Sequence, residues 1–259
     1  MLLEGKNIVV IGGSGGLGEA AVNHFIRHGA KVFVTGQVPW TKAKDYGPSL
    51  VYATLDATQE AEVSLLIPLA EKALGQIHGL YHVAGGSGRK MGDGPLHQLT
   101  SKGWDYTLDL NLRSVMLTNK AMIQYWIDNN LPGTILNMGS ILAFSPSAHY
   151  FASHAYAAAK AGIEGFSKSI AAYYASRQIR VNVIAPGLIA TAMSTRAQGD
   201  TGIVEFIKTK QPLNHGRIGA PEDCAGAAVF FMSEMSSFIT GVVLYIDGGW
   251  HLSDGQYIN

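Results

Sequence analysis

Cysteine is almost absent. Cys224 stands alone in 259 residues, so no disulfide can close within the chain, which suits a reducing compartment. An excess of either charge is missing too. Lys and Arg number 19 and Asp and Glu number 19, a balance that argues against a nucleic-acid partner. No apolar run reaches the roughly 18 residues that would cross a bilayer, so no membrane partner is expected. Glu4 and Lys6 precede the first apolar run, which does not read as a secretory leader. Among nine histidines, His149 and His154 are a close pair outside the first helix, and their spacing suits no helical zinc motif. No metal site is expected. There is no repeat of 20–50 residues, no low-complexity tract and no linker. The expectation is a cytoplasmic protein of one domain, residues 1–259.

What is present is an alternation. Short apolar runs at 7–11, 31–35, 50–55, 77–84, 134–138, 179–184 and 242–246 read as strands. Segments with helical spacing lie between them, at 19–28, 58–74, 102–129 and 154–177. Strands without polar alternation are buried on both faces, and strands alternating with helices imply a parallel sheet. The expected fold is α/β, a doubly wound, Rossmann-like parallel sheet with helices on both faces.

Gly12, Gly16 and Gly18 follow the first strand directly and open the first helix. Such a turn lets backbone approach a pyrophosphate and points helix N–H groups at it. The string alone would arise about 0.4 times by chance in so glycine-rich a chain, so context decides. Gly88, Gly92 and Gly94 repeat the spacing but lack a strand before them and are followed by Pro95, which makes them loop. Gly12, Ser14 and Gly16 also spell the nucleophile elbow of α/β-hydrolases. That elbow draws its oxyanion hole from an earlier βα loop, and only eleven residues precede Gly12. Ser14 is therefore expected in a turn or against a phosphate.

Tyr156 and Lys160 stand four apart at the start of a predicted helix and share a face. A phenol titrating near 10 is a poor base at neutral pH, and a nearby ammonium would lower it enough to exchange a proton with an alcohol or ketone. Ser140 lies just past a strand end, where its hydroxyl can meet a substrate oxygen.

Taken together and in order, these residues resemble the short-chain dehydrogenase/reductase family, its compact single-domain branch, over nearly the whole chain. The resemblance implies a catalytic tetrad of Asn111, Ser140, Tyr156 and Lys160, with Asn111 supporting a water relay to the lysine. It implies NADP or NAD held by Gly12, Ser14, Gly16, Leu17 and Gly18, by Gly36 and Gln37 at the end of the second strand, and by Asp56 and Ala57 near the adenine. Ala84 and Gly85, Pro186, Gly187, Ile189 and Thr191, and Tyr156 and Lys160 complete that set. The implied reaction interconverts a secondary alcohol and a ketone, in a homo-oligomer, tetramer or dimer. An acyl-thioester ketoreductase, a sugar-nucleotide epimerase or dehydratase, and a non-catalytic NAD(P)-binding regulator are the rival readings. The chain departs from the family pattern in three places. Ile11 stands where threonine is usual, His82 and Val83 stand for two asparagines, and the interval from Ser140 to Tyr156 is lengthened.

Neither a carboxylate nor an arginine occupies Gly36 or Gln37, and Lys42 and Lys44 follow closely. Dual cofactor use with a slight NADP preference is expected. His149, Tyr150, Phe151 and His154 in the lengthened loop are candidates for lining the substrate site. The segment from Met193 to Asn214, with Arg196, Lys208 and Lys210, is expected to close over it, and a sugar, a polyol, a small ketone or an acyl thioester would all suit. Trp104 and Trp126 are expected in packing, Cys224 as a buried small residue, and Trp250 and His251 at an oligomer contact.

Overall fold

The computed structural model describes residues 1–256, so the last three of the expected 1–259 domain lie outside the described residues. Seven strands form one sheet: β1 (Asn7–Ile11), β2 (Lys31–Gly36), β3 (Leu50–Thr54), β4 (Gly79–His82), β5 (Gly133–Met138), β6 (Ile179–Pro186) and β7 (Val243–Ile246). The spatial order is β3-β2-β1-β4-β5-β6-β7 and every pair is parallel. The order reverses direction between β1 and β4, which opens a crevice at the carboxyl ends there.

Helices of two or more turns cover the sheet: α1 (Gly16–Arg27), α2 (Leu66–Leu74), α3 (Ser101–Leu108), α4 (Ser114–Asp128), α5 (His154–Tyr174), α6 (Thr201–Lys210) and α7 (Pro221–Met232). Successive strand residues point to opposite faces. Val9, Phe33, Leu80, Ile135 and Val181 meet Leu66, Trp126 and Ala171 on one side. Ile8, Val10, Val34, Leu136 and Ile184 meet Phe25, Ala228 and Phe231 on the other. Each fully buried aliphatic or aromatic side chain contributes about 1.5–3 kcal/mol. That double burial is why the strands read as unbroken apolar runs.

Two expected helices are interrupted. The 58–74 segment divides into a single turn, Glu60–Val63, and α2. Pro68 has no N–H for the carbonyl of Ser64, so the chain cannot run through as one helix. The 102–129 segment passes from α3 to α4 through one π turn, Asp109–Arg113. Within it the Asn111 side chain, rather than a regular backbone ladder, takes the Thr107 carbonyl, Nδ2 donating at 2.9 Å. Trp126 is buried as expected, with Nε1 donating to the Ile77 carbonyl, and Cys224 is buried in α7. Trp104, expected in packing, is instead 38% exposed, because it lies on the outer side of α3.

The two helices that flank β5 are tied to it by polar groups inside an apolar core. Asn119 of α4 and Asn137 of β5 exchange amide hydrogen bonds at 3.0 and 2.9 Å, and Asn137 Nδ2 also donates to Ser167 of α5 at 3.0 Å. All three are buried. Asn137→Leu should destabilise the chain by about 1–3 kcal/mol for each partner left unsatisfied, Asn119 and Ser167. Urea unfolding measures this, and a loss below about 0.5 kcal/mol, the range of an ordinary surface change, would show that water replaces the amide.

Candidate active site

Ser140 lies two residues past β5 and caps the short turn Ile141–Ala143, its hydroxyl accepting from Leu142 N at 3.3 Å. Tyr156 and Lys160 stand one turn apart near the start of α5. The Ser140 hydroxyl bonds to the Tyr156 phenol, and Lys160 Nζ lies 5.6 Å from the centre of that ring. Lys160 is buried and donates to the carbonyl of Met138, the last residue of β5, at 2.9 Å.

The electrostatics differ from the expected lowering of Tyr156 by Lys160. Burial raises the phenol above its usual value, and the opposing effect comes from the Ser140 hydrogen bond. Burial also takes the Lys160 ammonium down to about 7, favouring its neutral form relative to a lysine in water. Tyr156 is therefore held protonated and able to donate. His82, the replacement for a family asparagine, is fully buried against Thr118, Nδ1 to Oγ1 being 2.8 Å. Burial first and Lys160 second pull it down to about 3, so it stays neutral.

Asn111 does not face the same space. Its Nδ2 donates to the carbonyls of Thr107 and Gly86, both at 2.9 Å, and its Oδ1 accepts from Gly86 N at 3.1 Å. A Cβ on Gly85 would come 2.7 Å from Asn111 Oδ1 and 3.3 Å from Lys160 Nζ, so the three meet where only glycine fits. A residue the sequence did not single out completes the framework. Asp93, buried in the glycine-rich loop after β4, accepts from Ala155 N at 3.0 Å and from Tyr156 N at 3.1 Å. It caps α5 from 63 positions away in sequence, at the very residue that carries the phenol.

Two adjoining hollows run along the carboxyl ends of the strands. One, of about 210 Å³, is lined by Gly85, Ser140, Tyr156, Lys160, Pro186, Gly187, Ile189 and Thr191. The other, of about 390 Å³, is lined by Gly12, Ser14, Gly16, Leu17, Gly18, Gly36, Gln37, Asp56, Ala57, Ala84, Gly85 and Thr191. Leu17, Val83, Gly85, Thr191 and Met193 border both, which makes them one continuous groove. The α1 N-terminus opens on it with Gly15 at the N-cap and no side chain capping the first turn. Gly12 takes φ +84°, and a Cβ there would strike Ala84 N at 2.8 Å. This donor-rich, carboxylate-poor turn fits a pyrophosphate.

Some expected neighbours are placed differently. Phe151 lines the smaller hollow, whereas His149 and His154 are exposed and outside it. Trp250 does not project towards another subunit. It is 1% exposed, donates Nε1 to the Ser145 carbonyl at 3.1 Å, and walls the same hollow beside Phe151 and Phe206. His251 pairs with Asp247 of its own chain, Nδ1 lying 2.7 Å from Oδ2.

A doubly wound sheet with a glycine turn at β1 and a serine, tyrosine and lysine along one groove defines a dinucleotide-dependent oxidoreductase. The comparisons with known proteins agree. The family model described as Enoyl-(Acyl carrier protein) reductase matches residues 12–251. A 3-oxoacyl-(acyl-carrier-protein) reductase from Chlamydia muridarum is 36% identical over 255 residues, 96% of this chain and 98% of that one. A 3beta-hydroxysteroid dehydrogenase 1 from Eggerthella lenta is 32% identical over 98% of this chain and 96% of its own length. The solved structure of a short-chain type dehydrogenase/reductase from Mycobacterium ulcerans superposes with a TM-score of 0.89 at 27% identity, covering 98% of this chain and 92% of that one. The chain belongs to the short-chain dehydrogenase/reductase family and is an oxidoreductase of the NAD(P)-using kind.

The buried lysine yields a test of sign. The unfolded chain holds the Lys160 proton up to 10.5 and the folded chain only to about 7, so wild-type stability rises with pH between those values. Lys160→Met should be more stable than wild type below pH 7, by up to about 5 kcal/mol before the lost bond to Met138 is subtracted. The gain should shrink as pH rises towards 10. Thermal unfolding of both proteins across pH 6–10 measures it, and a pH-independent difference would place the ammonium in contact with water.

Proposed function

We propose that the chain interconverts a secondary alcohol and a ketone, with Tyr156 exchanging the hydroxyl proton. The observation that carries this reading is the contiguity of Ser140, Tyr156 and Lys160 on one wall of the smaller hollow, which adjoins the larger one. Ser140 holds the substrate oxygen beside the phenol. Tyr156 donates its proton to that oxygen in reduction and recovers one in oxidation. Lys160, released from its partial neutrality when a proton is available, supports the phenolate, and Asn111 fixes the Gly85–Gly86 backbone beside it. When bound, the nicotinamide supplies or accepts the hydride. Gly12, Ser14, Gly16, Leu17 and Gly18 would hold its pyrophosphate, Gly36 and Gln37 the adenosine ribose, and Asp56 and Ala57 the adenine. Ala84, Gly85, Pro186, Gly187, Ile189 and Thr191 would hold the nicotinamide half.

A single domain carries both binding and chemistry. The 36% identity to a 3-oxoacyl-(acyl-carrier-protein) reductase supports an acyl-thioester ketone as a second reading of the substrate. A homo-oligomer, dimer or tetramer, is supported by the free edge of β7, where Val242 and Leu244 are half-exposed and Phe238 beside them is fully so. A cytoplasmic location is supported by the lone, buried Cys224 and by the absence, among described residues, of a helix long and apolar enough to cross a membrane.

Cofactor choice rests on Gln37, whose side chain bonds to Asp56. A Cβ at Gly36 would lie 2.7 Å from both Ser14 Oγ and Tyr52 OH, so an acid there must first displace those two side-chain ends, which makes Gln37 the cleaner probe. Lys42 pairs with Glu19 at 3.1 Å, which tempers its pull on a 2′-phosphate. No carboxylate at 36 or 37 repels that phosphate, and the proposal is dual use with a slight NADP preference.

Tyr156→Phe should lower kcat by at least about 10²–10⁴-fold, the usual loss of general acid–base catalysis, while calorimetric NAD(P)H affinity holds. Turnover close to wild type would remove Tyr156 from the reaction. Gln37→Arg should raise the NADP-to-NAD ratio of kcat/KM by adding a bidentate partner for the phosphate. A wild-type enzyme that already rejects NADP would mean that Asp56 reaches the ribose.

A further inference from the structure

The hollow that holds Ser140 and Tyr156 carries two guanidinium groups at its rim. Arg89 comes from the short turn after β4 and Arg196 from the turn before α6, and both line the cavity. They converge on one acceptor. Arg196 Nη2 donates to the Tyr150 carbonyl at 3.2 Å and Arg89 Nη2 to the same oxygen at 3.5 Å. Two like charges brought this close repel, and burial with Arg196 beside it draws Arg89 below its ordinary value.

No carboxylate among the described residues pairs with either arginine. Asp93 offers Arg89 some attraction at longer range, but both of its oxygens accept from the N-terminus of α5. Asp200, next along, caps α6 through Ile203 N at 3.1 Å. Most of the remaining wall is apolar, with Leu142, Phe151, Leu188, Met193 and Trp250, and its other polar members are the hydroxyls of Ser87, Ser153, Thr191 and Ser194. Most ion pairs on this chain join one acid to one base, whereas here two bases share a carbonyl beside an apolar slot.

We infer that Arg89 and Arg196 form an anion subsite, and that the substrate is a ketone or secondary alcohol with an apolar body and a carboxylate or phosphate at its far end. The planar forks of two guanidiniums suit such oxygens better than a neutral sugar or sterol hydroxyl. This rests on the alcohol–ketone reading above, but the binding arm of its test does not.

The test uses methyl-ketone carboxylates of increasing chain length, each against its methyl ester and against the matching keto-alkyl phosphate. Binding to the NADPH-loaded protein is read by calorimetry and turnover by NADPH oxidation. At the length that spans Tyr156 and the arginines, acid or phosphate should exceed ester by about 10–100-fold in affinity and in kcat/KM, the range of a charge-assisted hydrogen bond. Arg196→Ala and Arg89→Ala should pull the anion-to-ester ratio towards one through KM rather than kcat, and Arg196→Lys should restore part of it. The better of the carboxylate and phosphate series identifies the source of the charge. An ester that binds as well as the anions at every length overturns the subsite, as does an equal loss for anion and ester in the variants. Anion binding without any turnover would instead overturn the reaction and leave the subsite standing.

Discussion

All seven strands point the same way, and almost everything else in the molecule follows from that. Parallel strands cannot be joined by hairpins, so each must be followed by a crossover that leaves from the carboxyl edge. The turns after β1, β4, β5 and β6 therefore open side by side. The groove is assembled from the first residues past each of these strands: Gly12 after β1, Ala84 and Gly85 after β4, Ser140 after β5, Gly187 after β6. Lys160 reaches the same edge because the Met138 carbonyl, at the end of its ladder, has a lone pair to offer.

The price of this arrangement is polarity in places a core would reject. Asn119, Asn137 and Ser167 hold α4 and α5 against β5 by a closed set of bonds, and Lys160 and His82 sit in the same layer with their charge suppressed by burial. The two helices so fixed carry Tyr156 and adjoin the π turn of Asn111. Rigidity of the phenol therefore depends on groups well away from the groove, and on Asp93 at the head of its helix.

The strands were legible because burial on both faces writes itself as an unbroken run of Val, Ile and Leu, and the glycine turn because its context was local. Tyr156 and Lys160 were legible as a spaced pair with Ser140 past a strand end, and most of the residues expected to hold the cofactor line one groove. What escaped is non-local. Asp93 is one acid in a glycine-rich loop, and nothing near it reveals a bond formed 63 positions on. The π turn at Asn111 leaves helical periodicity nearly intact, so a continuous helix is the natural reading. Trp250 follows the last strand and reads as an external tail until the lengthened loop is seen folding over it. Pro68 was readable and marks the break that the apolar spacing around it conceals.

That tryptophan links two segments more than a hundred positions apart. Its indole fills the space beneath the loop between Ser140 and Tyr156, accepting Phe151 on one side and giving its N–H to Ser145. Phe144 of the same loop lies against Tyr245 of β7, 5.3 Å between ring centres. Loop and tail are thus a single exchangeable module. A chimera that imports a shorter loop while keeping this tail would strand the indole over an unfilled hole, and one that imports the tail alone would undercut the loop. Engineers who wish to re-aim the substrate hollow by recombination must move the two pieces together.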